Sequence, residues 1–198
     1  MDMRRIEIKS EIEKKEKSKR MVIGIILVAV MIIGTLGYGF LSRQETGGSN
    51  SKKESYKGVE FIMTDSGYWY AAVSGYGFYF QHLPKETENI SAPFARLEEY
   101  YYKPLFFVFN DGDMAAKGEI YRGLKDFTSS YPQDACLEGA TCESNELPEE
   151  NCSSNVIIFN VKNETNVFRE ENCVFIESQA EDMVRAADAF LYRLLGII

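Results

Sequence analysis

The chain of 198 residues has one histidine, His82, and contains no G-x-S-x-G, H-E-x-x-H or Walker sequence. A single histidine excludes zinc sites built on two imidazoles, and four cysteines spaced by six, ten and twenty-one residues fit no paired C-x₂₋₄-C knuckle. The missing motifs remove the nucleophile elbow, the zinc-protease helix and the phosphate loop. A Ser/His/Asp arrangement would have to use His82, at the end of an aromatic strand and just ahead of Pro84. Paired carboxylates of the glycosidase kind are recruited from distant positions and leave no motif to search for. No catalytic, cofactor-binding or metal-ligating residue is therefore assigned, no cofactor is expected, and the chain reads as a non-enzyme. It also lacks an internal repeat. No cysteine precedes residue 136, and no charge falls between Met21 and Leu41.

That uncharged stretch, MVIGIILVAVMIIGTLGYGFL, covers about 30 Å as a helix, the thickness of a bilayer's hydrocarbon core. Eight Lys/Arg (Arg4, Arg5, Lys9, Lys14, Lys15, Lys17, Lys19, Arg20) precede it, and three (Arg43, Lys52, Lys53) fall in the fifteen residues after it. The basic flank faces the cytoplasm, so the N-terminus is expected inside and the C-terminal domain outside. A cleaved signal peptide has a shorter apolar region and a small-x-small site, for which Gly37-Tyr38-Gly39-Phe40 is a poor match. A pilin leader ends in a small residue, and Lys19-Arg20-Met21 has none. The sequence thus predicts an uncleaved signal anchor and a single-pass protein of the cell membrane. With no ionisable residue in the span, its only expected partner there is the lipid bilayer.

Cysteine placement agrees. Cys136, Cys142, Cys152 and Cys173 all lie beyond the span, and an even number in an extracytoplasmic domain points to disulfides. Sequons at Asn89, Asn151 and Asn163 point weakly the same way. Residues 1–20 hold eight basic and five acidic side chains, net +3, and the remainder fourteen and twenty-five, net −11. An acidic outer domain argues against nucleic acid as a partner.

Four segments follow: a basic, helical cytoplasmic segment 1–20, a transmembrane helix 21–41, a flexible Gly/Ser-rich tether 42–57, and an extracytoplasmic domain 58–198. Val59–Met63, Trp69–Val73 and the alternating Tyr76–Phe80 read as a three-stranded meander whose aromatics form a sheet face rather than a sugar platform. Ser91 to Tyr102 reads as a short helix with Phe94, Leu97 and Tyr101 on one face. Leu105–Phe109 and Val156–Phe159 are wholly apolar and predict central strands buried on both faces. Asn110-Asp111-Gly112-Asp113 resembles a fragment of a calcium loop but lacks its distal ligands, and reads as a turn and helix cap.

A helix from Met114 to Phe127 would bury Ala116, Ile120, Leu124 and Phe127, with Gly118 and Gly123 weakening it. Tyr131–Asn155 is irregular, with three cysteines, six acids and no basic residue. Short strands are expected at Asn166–Phe168 and Cys173–Ile176. The last helix is expected to open on a capping box, Ser178 with Glu181, and to carry the stripe Met183, Val184, Ala187, Phe190, Leu191, Leu194. Glu181, Arg185 and Asp188 would pair on its surface, and Gly196 would end it. The class is α+β: a mixed sheet with two packed amphipathic helices and disulfide staples. Four cysteines allow three pairings. Cys136–Cys142 with Cys152–Cys173 is favoured, the first a local staple, the second joining the starts of two strands that would run parallel.

The run Asn172–Ile176 followed by Ala186–Ile197, Gly67-Tyr68-Trp69-Tyr70 leading to Leu83-Pro84-Lys85-Glu86, and the order of the cysteines resemble a group of uncharacterised archaeal single-span membrane proteins. The likeness covers about Val59 to Ile198. It implies the same topology and a Cys-containing extracytoplasmic domain, and it carries no activity, ligand or catalytic residue. The function expected is a non-catalytic outer domain that interacts with, or is a structural part of, a cell-surface or membrane assembly. A binding module for a small ligand, sugar or cation is the alternative, and an extracytoplasmic hydrolase ranks behind it.

Overall fold

A computed structural model describes residues 52–109, 114–142 and 146–198, where the aromatic alternation forms a four-stranded antiparallel meander. Its strands are β1 (Lys53–Tyr56), β2 (Val59–Met63), β3 (Trp69–Val73) and β4 (Tyr76–Phe80), in that spatial order. The segment expected in the cytoplasm (1–20), the expected span Met21–Leu41 and the expected turn Asn110–Asp113 lie outside the described residues. Among those described, no helix is long and apolar enough to cross a membrane.

β1 starts inside the stretch read as a tether, so the sheet begins earlier than its composition suggests. Lys57 and Gly58 both take positive φ (46° and 87°), giving the two-residue turn whose twist suits a hairpin. It pairs Lys53 with Ile62 and Tyr56 with Val59. Ser74 and Gly75 (53° and 86°) do the same between β3 and β4. Phe61, Trp69, Ala71, Phe78 and Phe80 are buried on one face, as expected of a core rather than a sugar platform.

Pro84 does more than end the meander: it opens a short helix α1 (Pro84–Thr87), with the Leu83 N–H donating to Glu86 Oε2 at 2.6 Å. The helix expected from Ser91 is only a 3₁₀ turn, Leu97–Tyr100, and Phe94 is 74% exposed rather than on a buried face. Pro93 disfavours helical backbone at Ala92, and Arg96 is extended (φ −119°, ψ 143°), so coiling starts only at Leu97. There the Arg96 N–H donates to Glu99 Oε1 at 3.0 Å.

A second sheet has the order β10-β11-β9-β5-β6. Its members are β5 (Leu105–Phe109), β6 (Gln133–Asp134), β9 (Asn155–Val161), β10 (Asn166–Glu170) and β11 (Cys173–Ser178). All are parallel to their neighbours except β10, which pairs antiparallel with β11. β7 (Cys136–Leu137) and β8 (Glu149–Glu150) form a separate two-stranded ladder. The two apolar strands β5 and β9 are adjacent, and both faces are covered. Leu105, Phe107, Ile157 and Phe159 join the core under the helices, while Val108, Val156 and Ile158 pack with Ala135, Leu137 and Cys152 of the cysteine-rich region. Double coverage is why these strands need no polar alternation.

Helix α2 (Met114–Leu124) connects β5 to β6, and α3 (Met183–Leu194) follows β11. α2 stops before Phe127, whose ring instead packs near Tyr76, Phe78 and Tyr101. α3 lies between the two sheets: Tyr192 meets Phe80 and Phe61 of the meander with ring centroids 4.3 and 6.0 Å away, and the helix also packs on β11. Ten of its twelve residues are buried, so the expected stripe extends almost all round.

The capping box is not formed. Ser178 closes β11, its Oγ 2.8 Å from Thr165 Oγ1, and a 3₁₀ turn Ala180–Asp182 intervenes before α3. The other end is as expected: Gly196 (φ 69°) donates to the Arg193 carbonyl at 3.1 Å and Ile197 to that of Tyr192 at 2.9 Å, a Schellman closure. Cys136 is joined to Cys142 and Cys152 to Cys173, with Cα atoms 5.9 and 4.9 Å apart. The second bridge links the entrances of the parallel strands β9 and β11.

Candidate functional site: a buried acid pair beside the only histidine

β4 delivers Gln81 and His82 to a corner above α2 and α3. His82 is held there three times by α3. Its N–H donates to Asp188 Oδ2 at 2.9 Å, its ring Nδ1 lies 3.0 Å from the same oxygen, and its carbonyl accepts from the Tyr192 hydroxyl. From α2, Glu119 turns inward beside Ile120 and is as buried as Asp188, both with no exposed side-chain surface. Glu119 Oε2 accepts from Gln81 Nε2 at 3.2 Å and from Arg122, whose guanidinium rests 4.8 Å above the Tyr68 ring. The Asp188 charge acts on Glu119 across this corner. Glu119 Oε1 and Asp188 Oδ1 are buried without a hydrogen-bond partner.

Two carboxylates are both acceptors and cannot satisfy each other, whereas one protonated carboxyl is a donor. Burial, then the Asp188 charge, pushes Glu119 up to about 7, against the pull of Arg122. Burial also raises Asp188, outweighing the donors from His82. His82 is raised above its ordinary value, chiefly by its hydrogen bond to Asp188, with burial opposing. Groups that interact this closely titrate as a unit.

Sequence reasoning placed Asp188 on a solvent-facing helix surface, and the structure corrects this. Arg185 pairs with Asp182 at 3.1 Å, which leaves Asp188 for His82. The spacing that brings Arg185 opposite Asp188 serves Asp182 equally well. Two signals were available. Asp188 sits in the run Ala186-Ala187-Asp188-Ala189-Phe190, and Glu119 shares the helical face of Ala116, Ile120 and Gly123.

The other candidates are dispersed. Within the acidic region, Glu138, Glu146 and Glu149 are exposed, and the described residues contain no group of three or more His, Cys, Asp or Glu placed to hold a metal. Asn89, Asn151 and Asn163 are all exposed. An open concavity of about 330 Å³ lies at the carboxyl end of β5, lined by Phe109, Asp134, Thr141 and Leu147, with Lys117 and Asp134 paired at 2.5 Å on its flank.

On the outer face of the meander, registered pairing aligns Lys53, Ile62, Tyr70 and Tyr79 across all four strands. Tyr70 and Tyr79 lie with ring centroids 5.2 Å apart, and Tyr79 is 44% exposed. A Cβ on Gly77 would fall 2.7 Å from the Tyr70 ring, so the glycine lets that ring lie flat across its strand. The chain matches no protein-family model, no curated protein and no solved structure.

Proposed function

We propose that the chain is a membrane-anchored, non-catalytic extracytoplasmic domain that takes part in a protein assembly, with residues 21–41 in the bilayer and the N-terminus in the cytoplasm. The row Ile62–Tyr70–Tyr79 carries this reading: it sets aromatic and aliphatic surface side by side on an outward sheet face. Tyr is favoured at protein interfaces because its ring buries area while its hydroxyl tolerates water. The doubly stapled domain behind it is suited to an oxidising compartment.

The test is photo-crosslinking in the intact membrane protein, with a photoreactive residue at Tyr79 and a control at exposed Glu164, in the connection between β9 and β10. A reproducible protein adduct from position 79 and none from 164 is expected. Failure to capture any partner reproducibly from position 79 would end the assembly reading.

One observation favours a second reading. Asp188 bound to His82 Nδ1 is the arrangement that orients an imidazole for acid–base chemistry through its other nitrogen. An extracytoplasmic hydrolase would use it. Turnover of simple ester or glycoside substrates that disappears in His82→Asn would support that reading, and inactivity across such a panel would remove it.

A further inference from the structure

Around Glu119 and Asp188 the permanent charges are unbalanced. Two buried carboxyls face one permanent cation within the cluster, Arg122, because Arg185 is engaged by Asp182. The remaining neighbours are His82 and Glu86 from the β4–α1 corner and, from α3, Tyr192 and Arg185, whose charge opposes protonation of His82 while Asp182 balances it. Glu86 adds negative potential, and Tyr192 donates its proton to the His82 carbonyl. Neutrality inside the cluster therefore requires one titratable proton. The two buried oxygens without a hydrogen-bond partner, Glu119 Oε1 and Asp188 Oδ1, mark the carboxyls as its place.

We propose that Glu119, Asp188 and His82 together bind one proton that latches the β4–α1 corner onto α3, and that the corner opens when rising pH removes it. Loss of the proton leaves an uncompensated negative charge on side chains with no exposed surface, the condition a folded interior tolerates least. The corner is the cheapest part to give way. It is held to α3 by the three contacts of His82, and α1 is a single turn. Opening also reaches β1, because the Tyr56 hydroxyl donates to Glu88 Oε2 at 3.2 Å just past α1. β1 is the strand through which the chain arrives from residues 1–51. The proton thus controls one contact of the domain's first strand beyond its ladder with β2.

Hydrogen exchange on the full-length protein in nanodiscs, between pH 5.5 and 8.5 and corrected for intrinsic rates, tests this. Protection at residues 81–88 is expected to fall at least tenfold across that range, while 105–109 and 156–159 stay constant. Glu119→Gln supplies the donor without a titratable proton and is expected to hold the corner closed throughout. Infrared spectra of the unmodified protein give a second readout: a protonated-carboxyl band present at pH 5.5 and gone at pH 8.5. Corner protection independent of pH, an unchanged pH response in Glu119→Gln, a response that follows added divalent cation instead of pH, or the absence of that band each overturns the latch. None of these readouts depends on a partner or on capture at Tyr79.

Discussion

Two glycines on one helix have opposite roles, and their neighbours decide which. A Cβ on Gly123 would lie 2.9 Å from Leu191 Cδ2 and 3.3 Å from Cδ1, so α2 and α3 touch there only because no side chain intervenes. Gly123→Ala is expected to destabilise the domain by about 1–3 kcal/mol, the usual cost of overpacking a tight contact. At Gly118 the nearest atom is an Arg122 nitrogen at 3.6 Å, ordinary contact distance. Gly118→Ala is expected to stabilise by about 0.5–1 kcal/mol through backbone entropy. Urea titration of the two variants measures both, and equal signs would contradict the packing argument. Sequence spacing exposed both glycines as helix-weakening but not which one a neighbour crowds, because Leu191 arrives from 68 positions away. The acid cluster was hidden for the same reason: Gln81, Glu119 and Asp188 come from three separate elements, and only their apolar flanks hinted at burial.

Among elements, those specified by continuous or alternating apolar pattern were legible: β2 to β5, β9, β11 and the body of α3. Those set by a single turn or a neighbour were not. β1 reads as polar linker because its partner β2 and the Lys57-Gly58 turn hold it, not an apolar pattern of its own. Ser178 and Glu181 have capping-box spacing, but Ser178 is taken by the last rung of β11 and by Thr165. The cysteine-rich region lies along the second face of β5 and β9, so its bridges secure the cover of that face. In the chain-entropy picture the Cys152–Cys173 bridge, spanning 21 residues, contributes about 3 kcal/mol, and Cys136–Cys142, spanning six, about 2 kcal/mol. Removing each pair as a double Ala variant and comparing thermal midpoints is expected to show the larger loss for Cys152/Cys173. A larger loss for the six-residue staple would mean that cover of the sheet, rather than chain entropy, is what the bridges supply.

For the whole molecule, the paired groups bias stability toward mildly acidic solution. Glu119 and His82 both hold protons more tightly when folded than when unfolded. Their contribution is complete below the unfolded values and is lost as pH climbs, for Glu119 from its ordinary 4.5 through about 7. Glu99 works in the opposite direction. Burial acts to raise it, but the hydrogen bond from Arg169 at 2.6 Å and the Arg96 N–H win, holding the carboxyl below its ordinary value. Its contribution is present above that ordinary value and fades as pH falls.

These two trends bound a maximum at about pH 4.5, where Glu99 is fully ionised in the fold and the loss at Glu119 begins. Net charge favours the acid side as well, because residues 21–198, at −11, repel one another less as acid neutralises them, but it gives no reason for a limb that runs up to pH 7. Thermal midpoints measured in steps from about pH 3 to 9 separate the two explanations. Glu119→Gln is expected to flatten the limb between about pH 5 and 7 and leave the acid limb in place, and Glu99→Gln to do the reverse. A midpoint that rises steadily from pH 5.5 to 8.5 in the unmodified protein would show that the buried cluster does not govern the stability of the fold.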